Sequence, residues 1–420
     1  MIKSCAVVDA FSTGRHLPEE LARYGYKVVH VRSKASVPGY FAGGFAGHHI
    51  AADYTHETLD ATAAWLRGWQ PDFVLPGSEL GVRLADTLAE RLGLVGNGSA
   101  GSEARRDKHA MAEALRARGV RAIHHLRTDR ADEAIDWMEA GGLPEIVIKP
   151  VNSATTEDVY FCRSAEQVRL AAASILGKQN ITGEVNTHLL AQERIRGVQY
   201  TVNAVSCNGR AYVGEVWTYE TVEAPGAGTI CSHEWLLDGD DPVAVRLGRY
   251  LDQALDALAL RQGPAHAEII VDADGPVIVD LGARLQGFMS PQACAAAAGH
   301  NHITLTALRY CDPTRFRDYA AVNSPYRRQR QCLCVSLISH EEGIVTGHPG
   351  LVRIRALPNF ADAIGMAPVG TRVSPTRDLS STPGIVYLIG DDEEALRRDF
   401  AAIRAMSMAE IFALAPVTEV

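Results

Sequence analysis

The 420-residue chain holds no Gly-x-x-x-x-Gly-Lys-Ser/Thr run, and no Gly-x-Gly-x-x-Gly run in it follows a strand and opens a helix. A nucleotide must then be held by a device other than a P-loop or a dinucleotide fingerprint. No uninterrupted apolar stretch approaches a membrane span, and the opening Met-Ile-Lys-Ser-Cys-Ala-Val-Val-Asp lacks the pattern of a secretory signal. Positive charge is not in excess. A net charge of -9 argues against a nucleic-acid or anionic-membrane surface, so any phosphate site must be local. The only dense basic run, Arg327-Arg328-Gln329-Arg330 after Ser324-Pro325, reads as a solvated connector. The eight cysteines are scattered, and Cys332-Leu333-Cys334 has the wrong spacing for a zinc knuckle. Buried free thiols in a reducing cytoplasm are expected.

What is present is an ordinary globular composition, 47% hydrophobic and 22% charged, in a chain long enough for two or three domains. The first hundred residues alternate apolar runs (4–8, 27–31, 72–75) with amphipathic stretches (17–24, 57–69, 82–92), the pattern of a parallel α/β sheet. In such sheets ligands sit at the carboxyl ends of the strands, which brings the loops Asp9–Gly14 and Pro76–Glu79 to one edge. The glycine-rich stretch 39–47 reads as a loop. A helix opens at Lys108 and runs toward Gly119, and an apolar strand over 143–150 ends on Lys149-Pro150. Two strand-like pieces flank Gly197, a hairpin follows at Asn208-Gly209, and internal repeats are absent.

The most informative segment runs from His266 to Gly287. Asp274-Gly275 supplies a turn between two Ile/Val runs, and a loop centred near Asp274 sets Glu268 opposite Asp280, with Cβ atoms roughly 5 Å apart. Two carboxylates that close repel, and a divalent cation is the simplest relief. Mg²⁺ fits, since it takes one or two carboxylates and fills its other positions with phosphate oxygens and water. Arg284, an even number of residues beyond Asp280, shares that side for as long as the strand lasts. A solvated acidic hairpin is the plainer alternative, and a one-residue change of loop length would turn one carboxylate away.

Taken in order, Val-Val-Asp9, Leu-Pro-Gly-Ser-Glu79, Arg-Arg-Asp-Lys108, Val-Ile-Lys149-Pro, Gln192-Glu193 and Asp280-Leu-Gly-Ala-Arg284-x-x-Gly287 resemble the ATP-grasp superfamily, and within it the carboxylate-amine ligases that include the bacterial L-amino-acid ligases. The resemblance implies a Rossmann-like N-terminal domain over 1–107, a linker helix and lid over 108–195, and a larger catalytic part over 196–420 with an α/β extension from about 325. It implies that Lys108 and Lys149 contact ATP phosphates, that Ser153 also binds ATP, that Gln192, Glu193 and Ile195 line the adenine pocket, and that Gln199 stands where the family carries a ribose-binding Glu. Glu268 and Asp280 would hold Mg²⁺, with Mn²⁺ an acceptable substitute, and Arg284 would stabilise charge in the transition state. Glu79, His233, Arg284, Gly287 and Phe288 would contact the amino-acid substrates, with Phe288 setting pocket size.

The chemistry so implied is activation of a carboxylate as an acyl phosphate, then attack by an amine, under a lid (146–193) that excludes water. Expected partners are small amino acids, with no nucleic acid and no membrane; a homodimer is left open. The sequence departs from the family in three ways. The loop 152–158 lacks the glycines that let backbone amides approach phosphate and carries Glu157 and Asp158, Asp280 replaces a Glu, and Gly282 replaces a metal-binding Asn. Ligation of a non-amino-acid carboxylate and a catalytically silent ATP-binding protein are the competing readings.

Overall fold

The computed structural model describes residues 3–224 and 228–417; the first two residues of the opening run and the last three of the chain lie outside them. The N-terminal strands form a four-stranded parallel sheet in the order Ile50–Thr55, Lys27–Arg32, Ser4–Val8, Val74–Pro76. Ser4–Val8 is buried along its whole length, as a central parallel strand covered on both faces should be. The helices Leu17–Arg23, Leu59–Trp69 and Val82–Arg91 return the chain between and beyond these strands. Thr58 opens the second by accepting the Ala61 amide, a cap that satisfies one orphan donor. Two elements differ from the sequence reading. Ile-Ala-Ala-Asp-Tyr-Thr (50–55) is an edge strand whose alternating exposure leaves little apolar signal, and residues Gly39–Ala42 of the glycine-rich stretch form one helical turn.

A second, antiparallel four-stranded sheet follows in the order His125–Thr128, Leu189–Glu193, Ile146–Pro150, Tyr160–Cys162. The helices Ala131–Ala140 and Ala165–Ile175 pack on it around a core of its own, including Ile135, Ile148, Val168 and Ile175. That core makes this part of the chain, the lid of the sequence reading, a packing unit of its own.

The rest of the chain is built on one eight-stranded antiparallel sheet, in the order Gly275–Gly282, Gln262–Asp272, Val198–Cys207, Arg210–Ala224, Gly228–Trp235, Gln331–Ser336, Ile385–Gly390, Phe360–Ile364. The strands beyond residue 325 therefore continue this same sheet, and among the described residues a three-stranded patch (Gly343–Gly347, Arg372–Val373, Ala413–Ala415) stands apart from it. The helices Pro242–Ala257 and His302–Cys311 cover the sheet. Seven of the eight cysteines are buried and all are free. Among the described residues no helix is long and apolar enough to cross a membrane.

Candidate active site

The paired carboxylates face each other, though by a route the sequence did not disclose. The hairpin pairs Asp272 with Gly275, so its loop is Ala273-Asp274, and a regular ladder would set Glu268 opposite Val279. A bulge between Glu268 and Ile269 takes up one extra residue and restores the Glu268–Asp280 pair. Continuing across the sheet, Glu268 pairs with Thr201. Burial and the neighbouring Asp280 push the Glu268 carboxyl up, against the opposing pull of Lys108, Lys149 and Arg284. The strand ends at Gly282, so the alternation argument does not reach Arg284; its guanidinium is placed by Glu79 instead.

Four cationic groups converge here. Lys108 is the first residue of the helix Lys108–Ala117, capped by Asp107, and its Nζ lies 3.0 Å from Asp280 Oδ2 while donating to the Ser153 carbonyl at 3.0 Å. Lys149 closes a buried lid strand, where burial and the Lys108 charge bring it down to about 8. Arg106 and Arg284 both bind Glu79. Burial alone would raise the Glu79 carboxyl, but the two guanidinium groups hold it at about 2. This ion pair also accounts for Gly282, since a Cβ there would lie 2.9 Å from Glu79 Oε2 and 3.0 Å from Arg284 Nε. A side chain at 282 and the Glu79–Arg284 pair compete for one space.

Two cavities meet at these residues. The first, of about 140 Å³, lies between lid and sheet and is lined by Lys149, Gln192, Glu193, Ile195, Gln199 and Asp280 among others. Ile195 packs with Ile123 and Ile270, giving it an apolar end, and Gln199 Nε2 donates to Glu268 Oε2 at 3.2 Å. The second, of about 90 Å³, is reached past Glu79, Glu268 and Arg284 and is walled by Tyr40, Phe41, Leu285, Gly287 and Phe288. It is held against the N-terminal sheet by the Ser12 and Thr13 hydroxyls, which both donate to the Gly287 carbonyl at 2.6 Å. The two loops expected at one sheet edge do meet: Gly14 approaches Gly77 so closely that a Cβ on it would lie 1.9 Å from the Gly77 carbonyl oxygen.

The glycine-free loop takes the conformations that glycine would ordinarily supply. Thr155, Thr156 and Asp158 have φ of 65°, 63° and 54°, the left-handed region that β-branched residues disfavour most. Its two acids are engaged inside the lid. Glu157 accepts from the Ile181 amide at 2.8 Å and from Ser153 Oγ, and Asp158 accepts from the Tyr160 hydroxyl at 2.8 Å. The Thr155 carbonyl in turn accepts the Leu379 amide, tying the loop to the C-terminal part of the chain.

His233 is not brought to either cavity. Glu220 pairs with His233 but Thr221 pairs with Cys231, so Ser232 is a bulged extra residue and the alternation reverses across it. His233 packs against Phe400, with ring centroids 4.7 Å apart, while Cys231 and Glu234 face the second cavity. Glu234 accepts from Thr201 Oγ1 at 3.2 Å; burial, with Glu268 and Glu215 nearby, raises it to about 7. Sequence reasoning missed Glu234, Tyr219, Ser78 and Arg106. Of these, Ser78, in Leu-Pro-Gly-Ser-Glu, Arg106, in Arg-Arg-Asp-Lys, and Glu234, beside His233, stood inside segments already singled out; Tyr219 did not.

The hard oxygens of Glu268 and Asp280, pressed together beside cationic groups, suit one or two Mg²⁺ ions that complete their shells with phosphate and water. No family model matches the chain. A dapdiamide A synthase from Enterobacter agglomerans is 29% identical over 411 residues, which cover 95% of this chain and 94% of that protein. Among solved structures, an L-amino acid ligase from Bacillus licheniformis superposes with a TM-score of 0.74 at 18% identity, covering 96% of this chain and 97% of its own. A carboxyaminoimidazole ribonucleotide synthase from Aspergillus clavatus, complexed with ATP, gives a TM-score of 0.69 at 13% identity over 96% of this chain and 97% of its own. In fold the chain is of the ATP-grasp type, and it is similar along nearly its whole length to that dapdiamide A synthase.

Proposed function

We propose that the chain is an ATP-dependent ligase that joins the carboxylate of a small amino acid to an amine, most simply that of a second amino acid, through an acyl phosphate, releasing ADP and phosphate. The observation that carries this reading is the meeting of the two cavities at Glu268, Arg284 and Glu79, one cavity bordered by the lysines and paired carboxylates, the other small and largely apolar. The whole-length likeness to a synthase of dapdiamide A supports amide formation as the outcome.

Gln192, Glu193 and Ile195 border the adenine end of the first cavity, and Lys108 and Lys149 offer point charges to the phosphates from either side of the lid hinge. Bound Mg²⁺ would neutralise phosphate charge as it transfers. Arg284, fixed by Glu79, is directed at the junction where the carboxylate oxygen must meet the γ-phosphate and where the carbonyl oxygen later gains charge. The loop 152–158 closes the junction to water, which would otherwise hydrolyse the acyl phosphate. Much of the rate then comes from positioning, since the reacting groups arrive pre-oriented. ADP release measured across a panel of amino acids, with product masses determined, tests the reading. Amino-acid-dependent ADP release with a dipeptide or amide mass supports it; ATP binding without any such release would leave a silent binder.

A further inference from the structure

Three carboxylates line the second cavity, and two of them are committed. Glu79 is held by Arg106 and Arg284, and Glu268 stands opposite Asp280 at the metal position beside Lys108 and Lys149. Glu234 forms no ion pair with any described Lys, Arg or His. It accepts from the Thr201 hydroxyl, a neutral donor. A carboxylate turned toward a cavity with no cationic partner of its own is a costly arrangement, which a proton offsets in the free chain and an ammonium group can offset when it arrives with the ligand.

A second, independent feature points to a ligand in the same cavity. The hydroxyls of Ser78 and Thr155, both buried, have no hydrogen-bond partner, and Ser78 is only 3% exposed. Both residues line this cavity, as do the apolar side chains of Tyr40, Phe41, Leu285 and Phe288. A molecule carrying an ammonium group, a polar group able to accept from hydroxyls and an apolar side chain matches that lining. An apolar α-amino acid is the simplest such molecule.

Position decides which substrate it is. The carboxylate to be activated must lie at the junction by Glu268 and Arg284, next to the lysines. The amine must reach the acyl carbon from elsewhere, and the second cavity, which Lys108, Lys149 and Asp280 do not line, is the side left for it. We propose that Glu234 receives the ammonium group of the attacking amino acid, with an apolar side chain lodged against Phe288 and Tyr40, and takes from it the proton whose loss frees the nitrogen lone pair for attack on the acyl carbon, the second nitrogen proton leaving with the released phosphate. This assignment rests on the ligase reading above and adds to it the charge and polarity of the amine substrate.

The test uses the full chain with Mg²⁺ and ATP saturating. Donor and acceptor are chosen from L-alanine, L-valine, L-leucine and L-phenylalanine by ADP release, and hydroxylamine, uncharged at neutral pH, serves as the comparison acceptor. Glu234→Gln should lower kcat/KM for the amino-acid acceptor roughly thirtyfold or more relative to that for hydroxylamine, because the variant removes a buried charge partner. Glu234→Asp, which keeps the charge, should recover part of that ratio and serves as the readout if the Gln variant does not fold. An equal fall for both acceptors would mean that Glu234 acts on the donor or on activation, and no fall for either would mean that it does not touch the amine. Either result overturns the assignment while leaving the ligase reading intact. A wild-type enzyme that releases ADP with none of these amino acids would overturn both.

Discussion

Two strand pairs of the same sheet, Gln262–Gly282 and Arg210–Trp235, each carry a β-bulge, and the two bulges act oppositely on what sequence alternation predicts. In the first, the extra residue moves Asp280 into register with Glu268, so a hairpin whose loop differs from the expected one still delivers the expected pair. In the second, the extra residue Ser232 turns His233 outward onto Phe400 and turns Glu234 inward. Period-two reasoning is correct only modulo the number of bulges, and a bulge leaves no reliable mark in a single sequence. The comparison also separates two kinds of residue: the carboxylate pair that chemistry demands and the carboxylate that geometry alone reveals.

The largest effect is expected at the first pair. Glu268→Gln and Asp280→Asn each remove a charge from the metal position and should lower turnover by roughly a thousandfold, the loss expected when several kcal/mol of charge stabilisation disappear. Steady-state ADP release at saturating Mg²⁺ checks this, with circular dichroism to verify the fold. Wild-type-like turnover in either variant would remove the hairpin from the mechanism.

A smaller effect concerns stability in acid. Glu79 is held at about 2 in the folded chain against an ordinary value of 4.5, so its contribution is fully present above about pH 4.5 and is lost as pH falls through 2. The linkage is worth about 3 kcal/mol. Glu79→Gln should flatten that stretch of the stability-against-pH curve in chemical denaturation, besides disordering Arg284. A variant as acid-sensitive as wild type would show that the Arg106–Glu79–Arg284 bridge is not what the folded state gains.

The glycine-free loop offers a test in the opposite direction. Thr156→Gly relieves a left-handed β-branched residue, a strain of roughly 1–3 kcal/mol that the extra chain entropy of glycine offsets in part. We expect a net stabilisation of about 1 kcal/mol, read as a modest rise in melting temperature. A fall would mean that the loop is not strained as its φ values imply. Smallest of all, His233→Ala should change amino-acid kcat/KM by less than about threefold, since a residue outside the cavities touches no substrate. A loss comparable to that of Glu234→Gln would reinstate the sequence-based role for His233.

Much of the architecture was legible because it rests on local chemistry. Apolar runs of strand length gave the central parallel strands, Asn208-Gly209 gave a hairpin, and Lys149-Pro150 ended a strand where a cation is wanted. Lys108, Gln192, Glu193 and Ile195 came through the ordered resemblance, and the fold sets all four along one cavity. What escaped depended on tertiary context. The edge strand 50–55 has no apolar contrast, Arg106 and Glu79 meet only through the fold, and the reason for Gly282 lies in the side chains that fill its space. The missing glycines at 152–158 were visible as an absence, but that three non-glycine residues adopt the left-handed region there is a property of the folded loop.

If ATP activates a carboxylate as an acyl phosphate, one carboxylate oxygen must end in the released phosphate, and oxygen tracing reads that transfer. An amino-acid donor labelled with ¹⁸O in its carboxylate would be turned over with unlabelled ATP and an acceptor, and the released phosphate analysed by mass spectrometry. The account predicts that each phosphate carries a single oxygen from the substrate carboxylate, because that oxygen attacks the γ-phosphorus and leaves with it. Unlabelled phosphate released in step with ADP and amide would contradict it.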